Sequence, residues 1–400
     1  MRSVAEAEKQ ILEAVAPLPA EECPLGDAQG RVLRQPLVAD RDLPPFDRVT
    51  LDGYALRERA WAAGVRRWRV AGVQAAGAAP LALAEDDACV EVMTGAVLPG
   101  GADTVVPYEE ATREEQFMAL AAGVKMEAGR GVHQRGSDHA AGSLLVSAGV
   151  RLGGAEIAVA AACGYARLTV TQQPKIAVIA TGDELVEVDA PVAAHQIRRS
   201  NDYALRAALL AAGHPRVECF LLRDRRPEME HLLWHILAEY DVVLLSGGVS
   251  RGKFDFLPRV LEDLRVRRLF QGVAQRPGRP LWFGLSPRHT PVFALPGNPA
   301  SSFVCLHRYV LGALARMSGR PAAPPQFAVL TEPVVLKSPL TWFLPVTTTP
   351  GPRGERQATP APLNTSGDFA GLAGTEGFVE LTAEKDGFAA GAVVRFWAWA

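Results

Sequence analysis

Residues 174–185 read PKIAVIATGDEL, and this stretch decides the class of fold. Its apolar centre, residues 176–180, is a short continuous run, which is the pattern of a strand buried on both faces of a sheet. The run ends at Gly182, and two acidic residues, Asp183 and Glu184, follow at once. Ligands of open α/β sheets bind beyond the carboxyl ends of the strands, so the stretch predicts a buried strand and a ligand-binding loop.

The sequence that follows alternates between strand and helix patterns. Strand patterns are VECFLLRD (217–224), DVVLLSGGVS (241–250) and the start of TPVFALPGNPASSFVCLHRYVLGAL (290–314). Helix patterns are SNDYALRAALLAAG (200–213), PEMEHLLWHILAEY (227–240), FLPRVLEDL (256–264) and the end of residues 290–314. Ser200 is suited to cap the first helix, and Gly213 is suited to end it. The alternation predicts a doubly wound α/β domain, in which helices cover both faces of a parallel sheet.

The remaining sequence divides around this domain. Residues 3–15 and 153–163 have helical patterns, whereas short β-like runs separated by Gly and Pro turns extend from about residue 64 to 147. A linker, GRPAAPPQF (319–327), precedes a β pattern that continues to residue 400. We therefore expect a multidomain α/β protein with an all-β insertion, since 400 residues exceed one compact core.

Composition narrows the classes of function. A net charge of -2 provides no general attraction to nucleic acid or to an anionic membrane, so any anion site must be local. Five scattered cysteines without a CxxC pair suggest buried reduced thiols and a reducing cytoplasm. The N-terminus, MRSVAEAEKQILEAV, carries acidic residues and does not resemble a signal peptide. The run AEIAVAAACG (155–164) is too short to cross a membrane.

Three strand-end loops have the composition of a phosphate site. Glycines let backbone N–H groups approach a phosphate, and the start of a helix adds a favourable field. Acidic side chains close to a phosphate indicate Mg²⁺ between the two. The candidates are Asp183, Glu184, Ser246, Gly247, Gly248, Asp255, Gly297 and Asn298. Taken singly, each loop has an ordinary alternative, namely a Gly-Gly turn, a solvated acid pair or helix cap, or a helix that begins at proline.

The stretch VAQRPGRP (273–280) adds a candidate oxyanion site. Arg276 and Arg279 flank a Pro-Gly turn and would present two forked donors on one small loop. A solvated hairpin tip is the alternative interpretation.

The β insertion carries further polar loops. PPFDRVTLDGYAL (44–56) contains Asp52, and the later loops contain Thr94 and Asp138. A hydroxyl donor and carboxylate acceptors there are plausible ligand contacts, although each residue alone is also typical of a turn. The spacing of the two histidines near Asp138 is a weak signal for zinc.

Together and in this order, the stretches resemble the molybdopterin molybdenumtransferase family, which comprises bacterial MoeA and the gephyrin E domain. Further matching pieces are TGAVLPGGADTVV (94–106), QIRRSNDYAL (196–205), RPGRPLWFG (276–284) and NTSGDFAGLAGTEGFVEL (364–381). The resemblance implies four parts. These are a helical N-terminal and linker domain (1–42 plus 140–171), a β insertion (43–139), a molybdopterin-binding α/β domain (172–318) and a C-terminal β barrel (319–400).

The resemblance also implies a reaction and an assembly. The family hydrolyses adenylylated molybdopterin (molybdopterin-AMP) in a Mg²⁺-dependent step, inserts molybdate into the dithiolene and releases AMP. An elongated homodimer is implied, with the active site near the subunit interface, as is a possible molybdopterin-adenylylating partner protein.

The resemblance assigns roles to residues by position. Glu184 and Asp255 match the family's acids near the nucleotide phosphate and the metal. Arg276, Arg279 and Ser366 match residues on molybdate. Other positions match cleft residues, and these are Asp52, Thr94, Asp138 and Asp224.

Several positions depart from the family pattern. Arginines replace the usual lysines in the RPGR turn, Gly272 stands where a further lysine is usual, and GKFD (252–255) replaces GEKD. The C-terminal domain's usual arginine has no clear match near Phe343. Two hypotheses therefore stay open: an active molybdenum insertase, or a diverged pterin-nucleotide-binding carrier or scaffold without turnover.

Overall fold

A computed structural model describes residues 1–248, 257–336 and 338–399 of the chain. Residues 1–171 form short helices and strands. They are α1 (Val4–Ala14), β1 (Ala20–Pro24), β2 (Leu37–Val38), β3 (Arg48–Val49), β4 (Gly53–Leu56), α2 (Glu58–Ala62), β5 (Arg67–Gln74), β6 (Ala88–Val92), β7 (Thr104–Pro107), β8 (Ala111–Glu114), β9 (Phe117–Leu120), β10 (Val132–His133), β11 (Leu144–Val146), α3 (Gly154–Ala162) and β12 (Arg167–Thr171).

Two antiparallel pairings join the segments on either side of the insertion. β1 pairs with β12, and β2 pairs with β11. Between them lies a six-stranded sheet in the order β7-β4-β6-β5-β9-β8. Successive residues of β4 point to opposite faces, so that Tyr54 and Leu56 join one apolar cluster and Ala55 joins another. The sheet therefore buries apolar side chains on both faces.

Residues 172–318 contain the α/β domain. Its elements are β13 (Ile176–Thr181), β14 (Leu185–Val186), β15 (Ile197–Arg198), α4 (Asn201–Ala211), β16 (Val217–Leu222), α5 (Arg226–Glu239), β17 (Val242–Ser246), α6 (Leu257–Asp263), β18 (Arg267–Gln271), β19 (Gln275–Arg276), β20 (Trp282–Leu285), β21 (Pro291–Leu295), α7 (Pro299–Cys305) and α8 (Leu311–Met317). A π-helical turn, Leu306–Val310, joins α7 to α8.

The sheet of this domain runs in the order β16-β13-β17-β21-β20-β18. The predicted parallel arrangement is confirmed for β16, β13, β17 and β21. The sheet continues with β20, a strand that the sequence patterns did not predict, which runs antiparallel to both of its neighbours. The reason is the short turn between β20 and β21, where the amide of Ser286 donates to the carbonyl of Thr290, since so tight a connection returns the chain beside itself.

The predicted ends of α4 are partly confirmed. Ser200 occupies the N-cap position, but its side chain makes no capping hydrogen bond. Gly213 lies just beyond the helix with φ +89°, and its amide donates to the carbonyl of Leu210 at 2.9 Å. The helix thus ends where a left-handed residue is needed.

The chain ends in a β barrel. Its strands are β22 (Gln326–Leu330), β23 (Val334–Val335), β24 (Thr341–Pro350), β25 (Arg356–Pro360), β26 (Gly377–Leu381), β27 (Gly387–Phe388) and β28 (Val393–Ala398). The order β24-β25-β22-β28-β26 closes because β26 also pairs with β24. Phe343 and Phe378 do not join the barrel core but pack into the main core of the α/β domain. The barrel is therefore docked on that domain through apolar side chains.

A buried arginine joins three parts of the molecule. Arg308, on the π turn, is 1% exposed and donates to Glu8 of α1 at 2.9 Å and to Glu380 of β26 at 3.1 Å. Its guanidinium also lies over the ring of Trp397, 4.3 Å from the centroid. The N-terminal helix, the α/β domain and the barrel thus meet at one cation.

Two sequence-level expectations concern thiols and membranes. The five cysteines are free thiols, of which Cys219 alone is partly exposed and the others are buried. Over the described ranges, none of the helices has the length and apolar character needed to cross a membrane.

Replacement of Arg308 tests this junction. Arg308→Met should lower the free energy of unfolding by about 3–5 kcal/mol, because Glu8 and Glu380 would keep their charges without the cation. Arg226→Met is the matched control, since Arg226 forms two exposed ion pairs and should cost only ~0–1 kcal/mol. Chemical denaturation of both variants measures the difference, and equal losses would contradict the role given to Arg308.

Candidate functional site

Three loops meet at the carboxyl edge of the α/β sheet. β13, β17 and β21 are adjacent and parallel, so the loops that follow them emerge side by side. They enclose a cavity of ≈ 640 Å³ together with the start of α4. Its lining includes Glu184, Asp224, Ser246, Gly247, Gly248, Gly297 and Asn298, all of them predicted from the sequence.

One side chain that the sequence reasoning missed ties two of these loops together. Asn201, the first residue of α4, donates from Nδ2 to Ser246 Oγ and to the carbonyl of Gly297, both at 2.8 Å. The QIRRSNDYAL motif contained this asparagine, but nothing in the local pattern indicated a bridge between distant loops. Asn201 therefore sets the spacing of the cavity walls.

Gly247 is required by close packing. It has φ +103°, and a Cβ there would lie 2.7 Å from Thr181 Oγ1 and 2.8 Å from the Thr181 carbonyl. The glycine lets the loop after β17 pass against the end of β13, and its amide donates to the carbonyl of Leu295 on β21 at 3.3 Å.

The cavity offers unpaired oxygen acceptors. Asn201 Oδ1 and Asp202 Oδ1 are buried and have no hydrogen-bond partner, although Asp202 forms an ion pair with Arg199 through its other oxygen. Glu184 lines the cavity, and its carboxylate makes neither a hydrogen bond nor an ion pair with any residue that the structure describes. Buried acceptors without donors are rare, so the oxygens of Asn201 and Asp202 are candidate partners for a ligand, and the exposed carboxylate of Glu184 is a candidate partner for a cation.

Two other predicted acids have different positions. Asp183 does not line the cavity; its Oδ1 accepts a hydrogen bond from the amide of Asp224 at 3.2 Å and braces the loop after β16. Asp255 lies outside the described residues. Among the described ranges, no group of three or more metal-ligating side chains is present.

The predicted oxyanion loop borders a second cavity, of ≈ 390 Å³. Arg276 belongs to β19, which pairs with β24 of the barrel. Its guanidinium stacks on Trp342, 3.9 Å from the ring centroid, and its Nε is buried without a partner. Burial lowers the pKa of Arg276. Arg279 is exposed, with its Nε 3.3 Å from Met1 Sδ.

Buried polar contacts hold this loop in place. Gln275 is fully buried, accepts a hydrogen bond from the hydroxyl of Tyr309 and donates from Nε2 to the carbonyl of Pro277 at 3.2 Å. Gly278 has φ +93°, and a Cβ there would lie 2.6 Å from Cys305 Sγ. Arg276 and Arg279 therefore lie on a turn whose position is fixed by contacts with the buried core.

The two cavities share a wall. Pro280, Pro296 and Asn298 line both. Asn298 Nδ2 donates to Ser366 Oγ at 2.6 Å, and the Ser366 carbonyl accepts from the amide of Ala300 at 3.2 Å. The barrel residue that was predicted to contact the oxyanion thus lies where the two cavities meet.

The predicted residues of the β insertion lie apart from both cavities, which contain no lining residue from 43–139. Thr94 donates to Asp52 Oδ1 from its amide at 2.6 Å and from its hydroxyl at 2.8 Å, and these hydrogen bonds lower the pKa of Asp52. One chain therefore does not bring Asp52 or Thr94 together with Glu184.

Asp138 belongs to a separate hydrogen-bonded group of polar side chains in the insertion. Its Oδ1 lies 2.9 Å from His133 Nε2, while Arg48 Nη2 lies 3.0 Å from His133 Nδ1. Because arginine only donates, the imidazole accepts at Nδ1 and carries its proton at Nε2, which fixes the direction of its bond to Asp138.

The fold and the paired cavities define an α/β domain of the molybdopterin-binding class joined to a barrel. A family model described as a probable molybdopterin binding domain matches residues 177–316. Models for the MoeA N-terminal region (domains I and II) and the MoeA C-terminal region (domain IV) match residues 2–164 and 328–399. The chain belongs to the MoeA family of molybdenum cofactor biosynthesis enzymes.

Whole-length relatives agree with this membership. The Synechocystis protein named molybdopterin molybdenumtransferase is 40% identical over 92% of this chain and 93% of its own length. One of the same name from Staphylococcus aureus is 30% identical over 98% of this chain and 94% of its own length. A crystal structure of a molybdopterin biosynthesis MoeA protein from Pyrococcus horikoshii covers 100% of this chain and 99% of its own, with 30% identity and a TM-score of 0.83.

Gly247→Ala tests the packing of the strand-end loops. The new methyl group would clash with Thr181 and strain the left-handed backbone, so we expect a loss of about 1–3 kcal/mol in unfolding free energy and weaker binding in the larger cavity. Gly312→Ala is the control, because its helical position has no atom within 4 Å of the added Cβ. Thermal unfolding of the two variants gives the comparison, and a Gly247 variant as stable as the control would contradict the close approach.

Proposed function

We propose that this chain catalyses the Mg²⁺-dependent insertion of molybdate into adenylylated molybdopterin, with release of AMP. The observation that carries the proposal is the wall shared by a large cavity with phosphate-type loops and a smaller cavity with two arginines. A pterin nucleotide and a small oxyanion must meet for this reaction. The residues that line both cavities mark the place where the two cavities adjoin and where the two ligands would be closest.

The larger cavity suits a pterin nucleotide. The backbone of Gly248 and Gly297 lies at its edge, where N–H groups would contact phosphate oxygens without side-chain interference. The unpaired oxygens of Asn201 and Asp202 are acceptors for the N–H donors of a pterin ring. Both ends of the substrate thus have chemical partners in one cavity.

The smaller cavity suits molybdate, a tetrahedral dianion. Arg276 and Arg279 supply charged donors, and Ser366 supplies a hydroxyl. Each charge-assisted hydrogen bond of this kind is worth ~1.5–3 kcal/mol, and the unpartnered Nε of Arg276 would gain a partner. Asn298, which holds Ser366, would fix the oxyanion beside the nucleotide.

Magnesium fits the acids at the sheet edge. Mg²⁺ binds through one or two carboxylates together with substrate phosphates, so the free carboxylate of Glu184 is a suitable ligand, with Asp255 proposed as the second. When bound, the ion would neutralise charge that develops as the phosphoanhydride is cleaved. No dedicated cage of protein ligands is needed for that role.

A homodimer would complete the site. Asp52, Thr94 and Asp138 lie in the insertion, away from the cavities of their own chain, so we propose that the insertion of one chain approaches the cleft of a second. Hydrogen bonds from Thr94 lower the pKa of Asp52, which keeps it an anionic acceptor at neutral pH. His133 orients Asp138 for the same purpose. A separate molybdopterin-adenylylating protein would supply the substrate in the cytoplasm.

The reaction is tested directly by AMP release. Purified protein given Mg²⁺, molybdate and adenylylated molybdopterin should release AMP and form molybdenum cofactor, and Glu184→Gln should slow release by roughly 100-fold or more because a metal ligand is lost. Arg353→Gln, a change on an exposed barrel loop, should leave the rate unchanged. Tight nucleotide binding without AMP release would refute turnover and favour the non-catalytic carrier.

The oxyanion loop is tested by comparing two affinities. Arg276→Gln should raise the molybdate concentration needed for half-maximal insertion by roughly tenfold or more, since one charge-assisted donor is lost. Binding of the pterin nucleotide, measured by calorimetry without molybdate, should change less than about twofold, because Arg276 lines only the smaller cavity. Equal losses of both affinities would mean that the loop does not select the oxyanion.

A further inference from the structure

A small basic cavity lies at the opposite edge of the α/β sheet from the proposed active site. It has a volume of ≈ 30 Å³ and lies where α4 ends and where the chain leaves α8. Four of its lining residues are basic, and none is acidic. These four are Arg31, Arg151, His214 and Arg320.

The charges around this cavity are incompletely paired. Arg31 forms an ion pair with Glu21 and donates from Nη2 to the carbonyl of Thr171 at 2.9 Å, but its Nε is buried without a partner. Arg151 donates from Nε to the carbonyl of Gly30 at 3.3 Å and has no carboxylate partner among the described residues. Across the same ranges, the guanidinium of Arg320 has neither a hydrogen bond nor an ion pair.

The pKa shifts in this cluster agree with positive charge that no acidic side chain in the cavity compensates. Burial, and then Arg320 and Arg151, lower the pKa of His214 to about 4, so its imidazole is neutral at pH 7 and can donate one hydrogen bond. Burial and Arg151 also lower the pKa of Arg320. The two arginines repel each other in a confined space.

Helix ends offer only partial compensation. α4 and α8 both end at this cavity, and the carboxyl end of a helix carries a partial negative charge. Backbone amides already occupy the terminal carbonyls: Gly213 donates to Leu210, and Arg320 donates to Ala315. Neither carbonyl is therefore left for the guanidinium of Arg320, which has no acceptor among the described residues.

We propose that Arg31, Arg151, His214 and Arg320 form a second anion site, which takes a small tetrahedral oxyanion such as inorganic phosphate or sulfate. The cavity holds about two water-sized groups, which suits two oxygens of such an ion and excludes a nucleotide. The ligand would connect residues 30–31 and 151 with the end of α4 and with the linker to the barrel. Its binding therefore stabilises the arrangement of these segments.

Thermal unfolding with inorganic phosphate tests the site. At fixed pH and fixed ionic strength, replacing chloride with phosphate should raise the unfolding midpoint of the wild-type protein. In the double variant Arg151→Gln/Arg320→Gln most of the shift should be lost, and calorimetry should show phosphate binding weakened by roughly tenfold or more. Sulfate should reproduce the wild-type shift.

Two controls distinguish this site from phosphate binding elsewhere on the protein. Arg279→Gln removes a cation of the turn that borders the ≈ 390 Å³ cavity and should keep most of the phosphate shift, whereas Arg353→Gln controls for the loss of one exposed positive charge. If phosphate raises the midpoint no more than chloride, the arginines serve only the helix ends and the proposal fails. If Arg279→Gln abolishes the shift while the double variant retains it, phosphate binds at the other loop and the proposal also fails.

Discussion

The buried ion pairs of Arg308 hold together the parts on which the site depends. Glu380 lies on β26 of the barrel and Glu8 lies on the N-terminal helix, while the arginine itself belongs to the α/β domain. Docking of the barrel brings Trp342 over Arg276 and places Ser366 beside Asn298. A buried cation with carboxylate partners on two other segments is costly unless both are present, so it favours one relative placement of the domains. The smaller cavity exists only in that placement.

The two cavities differ in how they are built. The larger one follows from the ends of parallel strands, whose glycine loops pack against one another and are tied by Asn201. The smaller one forms between domains, where a turn supported by Gln275 and Tyr309 faces the barrel. Under the proposed function, a pterin nucleotide would therefore contact a sheet edge, whereas the oxyanion would contact groups whose spacing depends on domain docking. Two of the departures from the family pattern, the arginines of the RPGR turn and Gly272, lie at this smaller cavity or next to its loop.

Gly272 shows what one of those departures does. The resemblance places a lysine there, but this glycine has φ +86°, and its carbonyl accepts a hydrogen bond from the amide of Arg2 at 3.1 Å. Met1 then lies beside it, and Met1 Sδ is 3.3 Å from Arg279 Nε. The position that would hold a third cation is thus occupied by a backbone junction with the N-terminus. Two forked guanidinium groups remain to provide the charge of the loop.

Local pattern alone was sufficient for the buried strands, the helices between them, and the glycine loops of the larger cavity. Each of these depends on apolar runs, helical periodicity or residues near in sequence, and Glu184, Ser246, Gly247 and Asn298 were found in that way. The antiparallel β20, the bridge from Asn201 and the support of Gln275 were not predictable, because each depends on a partner far away in the chain. Tertiary structure also decided that Asp183 braces a loop and that Asp52 and Asp138 lie apart from the cavities. The type of each residue determines which chemistry its side chain can perform, and that type is read directly from the sequence. Whether side chains from distant parts of the chain come together is decided only by packing in the folded protein.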